Sequence, residues 1–392
     1  MESQKKRSRT QLLGTPRDSA RSLQLTHNIR HAGDFLEARF WRWLVEYLRT
    51  VLRRRAKFLE YDLTDPRAGI HVMPDVVSVA LAGDWGTGTI SAYRVRDEIL
   101  RRSPDITMHL GDVYYSGSQD EFDEYFLGAD DWPRGSLEPT DEITALPSYA
   151  LNGNHEMYSG GHAYFRAIRE HFGQEASFFC VENEHWRIVG LDTGYSAKLI
   201  PGLELLPWWV RFQENNLEWL RHNILSSSDT RPILLLSHHQ WFSAFEREYG
   251  RLGRELGHDP RYLMWFWGHE HRLAGYGSFR THPKGPLIRG RCIGHGGMPT
   301  EDIHQPVKRE RNLVFSDQRV AGSVDHTEVG YNGFALLEFD GAALVVSYIE
   351  ETGRVLLREK WVRTEDGARG EVLDFESDLL TLERPINDLV SE

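Results

Sequence analysis

Cysteine is almost absent from this chain: there are two in 392 residues, Cys180 and Cys292, both inside apolar strand-like runs. That excludes a disulfide-framed scaffold and fits buried free thiols in a reducing compartment. No uninterrupted apolar run approaches the roughly 18 residues that a membrane-crossing helix needs. The basic N-terminal stretch has no apolar segment with a small-residue cleavage site behind it, so the expected location is cytoplasmic. No internal repeat is present, which excludes solenoids and propellers. An excess of positive charge is missing too. The 46 Lys and Arg against 58 Asp and Glu give a net charge of −12, which does not favour long nucleic acid. The nucleotide-binding glycine loops are also lacking. LAGDWGTGTI (81–90) has glycines between a strand and a helix, but no Lys-Ser/Thr follows them and the spacing is not GxGxxG.

What is present begins with length enough for one large domain and a sizeable core. The charge is uneven: residues 1–60 hold 14 Lys/Arg against 6 Asp/Glu. Within them Leu36, Phe40, Leu44, Tyr47, Leu48, Val51 and Leu52 recur at helical spacing. This predicts an amphipathic helix over 34–59, docked on the body with a solvated basic face. The other reading of that face is contact with a membrane surface or a protein partner. From residue 75 strand and helix signals alternate. GFALLEFDGAALVVSYIEETGRVLLREKW then reads as three antiparallel strands with turns at DG and TG. The stretches 195–212, 240–260 and 297–330 interrupt the core, and the segment after Glu365 is acidic and weakly helical. The expected fold is α/β: a four-layer α-β-β-α sandwich of two mixed sheets flanked by helices, with an extra N-terminal amphipathic helix. The expected parts are a basic extension (1–70), a catalytic domain (71–362) and an acidic tail (363–392).

The chemistry gathers where apolar runs end. LAGDWG presents Asp84, and MHLGDVYY presents Asp112, Tyr114 and Tyr115. ALNGNHE presents Asn154, His155 and Glu156, ILLLSHHQ presents His238 and His239, and MWFWGHEH presents His269 and His271. Carboxylate, amide and imidazole groups at the edge of an α/β sheet form a convergent polar site. The mixture suits transition metals. Residues i and i+2 of an extended GHEH point the same way, so both imidazoles can reach one cluster. Six or seven ligands exceed one tetrahedral zinc and suit two ions sharing a bridging carboxylate.

The ordered set GDWG, GDVYY, GNHE, LLLSH and GHEH resembles the calcineurin-like metallophosphoesterases, and more narrowly the purple acid phosphatase pattern of that superfamily. The resemblance spans Asp84 to His271. It departs from the usual superfamily pattern at Gly86, where a His would complete DxH; the purple acid phosphatase pattern supplies a Tyr three residues after the second Asp instead, the position of Tyr115. The resemblance therefore implies one metal held by Asp84, Asp112, Tyr115 and His271, and a second held by Asp112, Asn154, His238 and His269. A phenolate favours Fe(III) at the first site, with Zn, Mn or Fe(II) at the second. His155 is implied to contact substrate and protonate the leaving oxygen, with Glu156 orienting it. His239 reads as a second acid or a loop residue. His162 and His295 are weaker candidates for lining the pocket, and the glycines of 294–297 read as a phosphate contact or a plain turn. Trp208, Trp209 and Trp241 read as core or lid packing before substrate stacking.

The implied activity is dinuclear metal-dependent hydrolysis of phosphate esters: hydroxide generated at the ions attacks phosphorus, Asp112 bridges and His155 assists departure. Monoesters are favoured. The alternatives are a phosphodiesterase acting on nucleotides, nucleic acid or lipid head groups, and a non-catalytic phosphate-sensing module. The expected partner is a phosphorylated small molecule.

Overall fold

The structure is a computed structural model describing residues 55–391 except 129–130, 198–208, 227, 281–282, 299–302, 305–306, 309–310 and 325–326. Its strands in chain order are β1 (Ile70–Val72), β2 (Val76–Ala82), β3 (Ile106–His109), β4 (Ser148–Ala150), β5 (Phe179–Glu182), β6 (Arg187–Gly190), β7 (Ile233–Ser237), β8 (Tyr262–Trp267), β9 (Leu273–Phe279), β10 (Ile288–Ile293), β11 (Leu313–Ser316), β12 (Val320–Val324), β13 (Thr327–Gly330), β14 (Gly333–Asp340), β15 (Ala343–Glu350), β16 (Val355–Thr364), β17 (Gly367–Phe375) and β18 (Thr381–Leu382). They form a nine-stranded sheet, β1-β5-β6-β7-β8-β10-β9-β11-β18, and a seven-stranded sheet, β17-β16-β15-β14-β2-β3-β4, with β12 and β13 as a separate hairpin. In the seven-stranded sheet β2, β3 and β4 are parallel neighbours, and β14 to β17 form an antiparallel meander.

Period-two side-chain alternation stacks the sheets. Val77, Val79 and Leu81 of β2 join Leu234 and Leu236 of β7 and Met264 and Phe266 of β8 in one core cluster between the sheets. Their alternates face outward beneath helices. Ala80 and Ala82 lie with Ala92, Val95 and Ile99 of α1 (Ile90–Arg102), while Leu235 and Trp265 lie with Trp219, Leu220 and Ile224. The result is two mixed sheets with helices on their outer faces. Helix α1 begins where Thr89 Oγ1 accepts the Ala92 N–H (3.1 Å). Helices α2 (Gln119–Tyr125), α3 (Asn154–Tyr158), α4 (His162–Ala167), α5 (Glu214–Trp219) and α6 (Gly250–Leu256) are short. Among the described residues no helix is long and apolar enough to cross a membrane.

Of three expectations, the first falls largely out of view and the other two change. Most of the helix expected over 34–59 lies outside the described residues. Residues 55–59 are not helical, and Phe58 packs against Phe178 with ring centroids 5.7 Å apart. The segment 363–391 is not a helical tail. β17 extends the meander, β18 joins the far edge of the other sheet, and Leu380 and Leu389 are buried. Much of 297–330, expected as loop, contains β11 and the β12–β13 hairpin.

Candidate metal centre

The ends of five strands meet at one edge of the sandwich. The seven-stranded sheet delivers Asp84 after β2, Asp112 after β3 and Asn154 after β4. The nine-stranded sheet delivers His238 after β7, and His269 and His271 after β8. Asp84, Asp112 and His269 have φ of 60°, 73° and 64°. A left-handed residue two or three positions past a strand turns its side chain across the strand end; this costs of order 1–3 kcal/mol in a non-glycine residue, a pattern that clusters at functional sites. Two glycines clear the space. A Cβ on Gly153 would collide with Asp112 Oδ1, and one on Gly268 would press on Asp84 Oδ2.

The donors converge closely. His238 Nε2 lies 3.2 Å from Asp112 Oδ2 and 3.0 Å from Asn154 Oδ1. Its Nδ1 faces the Leu110 carbonyl at 3.0 Å, a bond that leaves Nε2 to the centre when Nδ1 carries the proton. The Asn154 amide nitrogen donates to Tyr158 Oη (2.7 Å), which turns its oxygen toward His238. Asp84 Oδ2 accepts the His269 N–H (2.7 Å), and Asp84 Oδ1 lies 3.5 Å from His271 Nε2. His269 Nε2 is 3.2 Å from the Tyr249 hydroxyl.

The phenol in this centre is Tyr114, one residue before the Tyr115 that the resemblance implied. Tyr114 Oη donates to Asp84 Oδ1 (2.6 Å) and lies 2.9 Å from His271 Nε2 and 3.3 Å from Asp112 Oδ2. Tyr115 contributes main chain: its N–H donates to Glu121 (2.7 Å), and its carbonyl meets His155 Nδ1 at 2.6 Å.

Glu156 also departs from its expected task of orienting His155. It is buried and accepts the N–H groups of Val113 (3.0 Å), Gly153 (2.9 Å) and Asp112 (3.3 Å), tying the Asp112 loop to the Asn154 loop. The His155 N–H donates to Asp112 Oδ1 (3.0 Å), and its Nε2 is 3.7 Å from Asp112 Oδ2. The His155 side chain keeps 22% of its surface exposed, so it stands at the rim. His239 is wholly buried beside His238 and His269, too deep for the expected acid or surface-loop role. His295 is buried in the loop after β10. That loop braces Asp84 from behind, with Gly296 donating to the Gly83 carbonyl (2.9 Å) and Met298 to the Asp84 carbonyl (3.0 Å). The glycines here pack backbone on backbone, since a Cβ on Gly294 or Gly296 would strike a main-chain carbonyl. His162 is exposed, Trp241 packs on Trp265 in the core, and Trp208 lies outside the described residues. Tyr158, Tyr249 and Thr193 are functional neighbours that no sequence motif marks. Tyr158 alone carried a local signal, four residues from Asn154 on the face of α3.

Burial opposes charge on Asp112, but His238 and His155 beside it hold its carboxyl well below the usual carboxylate range. Burial also pulls His238 down, yet Asp112 pushes it up to about 9. Burial, with Asp84 and Asp112 nearby, pushes the Tyr114 phenol well above its ordinary value, so it keeps its proton and donates a hydrogen bond to Asp84. Burial lowers His269, helped by His238, and keeps it neutral as a ligand must be.

This donor set fits metal. Asp84 and Asp112 are buried, and among the described residues neither pairs with Lys or Arg; their partners are imidazoles and a phenol. One ligand atom each from Asp84, Asp112 and His238 lies within 4.8 Å of the others, as do those of His238, His239 and His269. His239 Nε2 is buried with no hydrogen-bond partner. Carboxylate, imidazole, amide and phenol oxygen or nitrogen together suit Zn, Mn and Fe.

No curated protein matches this chain closely enough to be counted a relative. Among solved structures, a purple acid phosphatase from yellow lupin (Lupinus luteus) seeds superposes with a TM-score of 0.50 at 16% identity, over 75% of this chain and 55% of the lupin chain. This chain thus spans about half the length of that neighbour. GAP50, the anchor in the inner membrane complex of Plasmodium, gives 0.48 at 11% identity, covering 77% and 90% of the two chains. PhoD gives 0.45 at 10%, covering 79% and 72%. The likeness to the lupin enzyme concerns the fold. The sequence profile of the calcineurin-like phosphoesterases matches residues 77–273, the stretch that carries every donor above, and the chain belongs to that family.

Proposed function

We propose that this protein hydrolyses phosphate esters at a dinuclear metal centre, with monoesters as the favoured substrates. The observation that carries the reading is the pair of buried carboxylates, Asp84 and Asp112, ringed by imidazole, amide and phenol donors and paired with no Lys or Arg among the described residues. Asp84, Asp112, Tyr114 and His271 would hold one ion, and Asp112, Asn154, His238 and His269 the other, with Asp112 shared. Tyr114 replaces Tyr115 in this assignment because its hydroxyl touches both carboxylates. A bound pair of ions supplies charge neutralisation for the phosphoryl group and an activated water near neutral pH.

The chain's own part is orientation and proton transfer. Leu110 and Tyr158 fix which atoms of His238 and Asn154 face the centre. Glu156 locks the two loops together through three main-chain N–H groups. His155 holds Nδ1 against the Tyr115 carbonyl, so Nε2 faces the centre from the half-open rim. A proton there can pass to the oxygen of a departing alcohol.

Metal analysis of the purified protein, paired with kinetics on an aryl monophosphate and a diaryl phosphate, tests the reading. About two equivalents of metal and faster monoester turnover are expected. Fewer than about one and a half equivalents in active protein would count against a dinuclear centre. Two equivalents without turnover on either ester would make the chain a phosphate-binding module. His155→Ala should keep its metals and lose roughly 10²-fold or more in rate; unchanged turnover would remove His155 from the mechanism.

A further inference from the structure

We infer that His239 is a third imidazole ligand of the second metal ion, the one assigned to Asn154, His238 and His269. The inference rests on the dinuclear reading above. His239 has no surface exposure, yet its Nε2 meets no hydrogen-bond partner. An imidazole nitrogen taken out of water without a partner is unfavourable unless something answers it. The rest of the residue is firmly held. Its main-chain N–H donates to Thr193 Oγ1 at 3.0 Å, and its Nδ1 lies 3.0 Å from the same oxygen. When Nδ1 is the proton carrier in that contact, the lone pair of Nε2 is left for a cation.

The neighbours of the ring are metal donors. The His239 ring centroid lies 4.5 Å from that of His269 and 4.8 Å from that of His238. One ring nitrogen from each of the three lies within 4.8 Å of the other two. Metal–nitrogen bonds of about 2.0–2.1 Å would need side-chain shifts of under about 1 Å each to reach a common ion.

The chemical consequence is selectivity. Two imidazoles, an amide oxygen and a carboxylate describe a site open to Mn. A third imidazole shifts the donor balance toward nitrogen, and so toward Zn and Co over Mn and Mg. The second ion should therefore bind as a nitrogen-rich, borderline metal.

The test uses the stripped full-length chain titrated with Zn²⁺, Mn²⁺ or Co²⁺ against a chromophoric chelator. The wild type should bind two ions and prefer Zn²⁺ over Mn²⁺ at the weaker site. His239→Ala should lower Zn²⁺ affinity at one site by about 10–100-fold and narrow the Zn/Mn preference, leaving the other site unchanged. His239→Gln retains a side-chain amide beside Thr193 and guards against misfolding of the alanine variant. In Co²⁺-loaded protein both variants should shift and weaken the visible d–d bands, which a residue that only packs would not do. Wild-type affinities and unchanged Co²⁺ spectra in both variants overturn the role of His239 and leave the dinuclear reading standing. A wild-type chain that binds no second ion overturns both.

Discussion

Two buried charged clusters in this molecule solve the same problem differently. In the heart of the sandwich Arg291 and Glu359 are both wholly buried and pair bidentately, Nε to Oε1 at 2.8 Å and Nη2 to Oε2 at 2.7 Å. Arg291 also donates to the carbonyls of Tyr276 and Gly290, and Glu359 accepts from Tyr348 (2.6 Å) and Trp361 (3.1 Å). Charge and hydrogen-bonding capacity close within the chain. At the strand ends the two carboxylates have no such arginine among the described residues, and an imidazole nitrogen is left over. Buried charge is tolerated when it is paired. A cluster that pairs itself is architecture. A cluster that leaves its negative charge to imidazoles and a phenol is prepared for a cation from outside.

That contrast can be broken at several points. Asp112→Asn should have the largest effect, since Asp112 would touch both ions: turnover should fall by about 10³-fold or more and both metals should be lost. Two bound metals in this variant would refute the shared ligand. Arg291→Met strands Glu359 in the core and should cost about 3–5 kcal/mol in urea unfolding with metal content unchanged, while adding Glu359→Leu should recover most of it. If instead the single variant lost metal at full stability, the two clusters would be wrongly sorted. Chelation should lower the melting temperature of the wild type, because ions about 100-fold above their dissociation constant contribute about 2.7 kcal/mol; Asp112→Asn should not respond. Tyr114→Phe should weaken metal affinity by about 10–100-fold, and Tyr115→Phe should leave it near wild type. The opposite ranking would restore the residue that the family pattern indicates.

The difference between these two tyrosines shows where sequence reading stops. Asp84, Asp112, Asn154, His238 and His269 were visible because each follows an apolar run whose end must lie at a sheet edge. Tyr114 and Tyr115 lie in the turn that follows β3, past the left-handed Asp112, where no periodicity says which of two adjacent rings faces inward. The main strands were similarly legible: Tyr262–Trp267 is a strand over its whole apolar run, and the DG and TG turns sit between β14, β15 and β16. β9 was hidden by Gly275 and Gly277 in its centre; Gly275 is needed because Phe315 fills the place of a Cβ. β17 was hidden for another reason. Its residues are exposed or half-exposed on both faces, so no alternation marks it. His239 gave no signal beyond adjacency to His238, since only the fold shows that nothing answers its Nε2.

The left-handed turn at His269 has one more consequence. It carries the main-chain N–H of one sheet onto the Asp84 carboxylate of the other, across 185 residues of sequence. The donors proposed for each ion are likewise divided between the two sheets. An ion bound there is a cross-link in the topological sense, closing a loop that spans nearly half the chain. Neither sheet alone can assemble such a centre, so metal uptake would report the docking of the two halves of the fold as directly as it reports the chemistry.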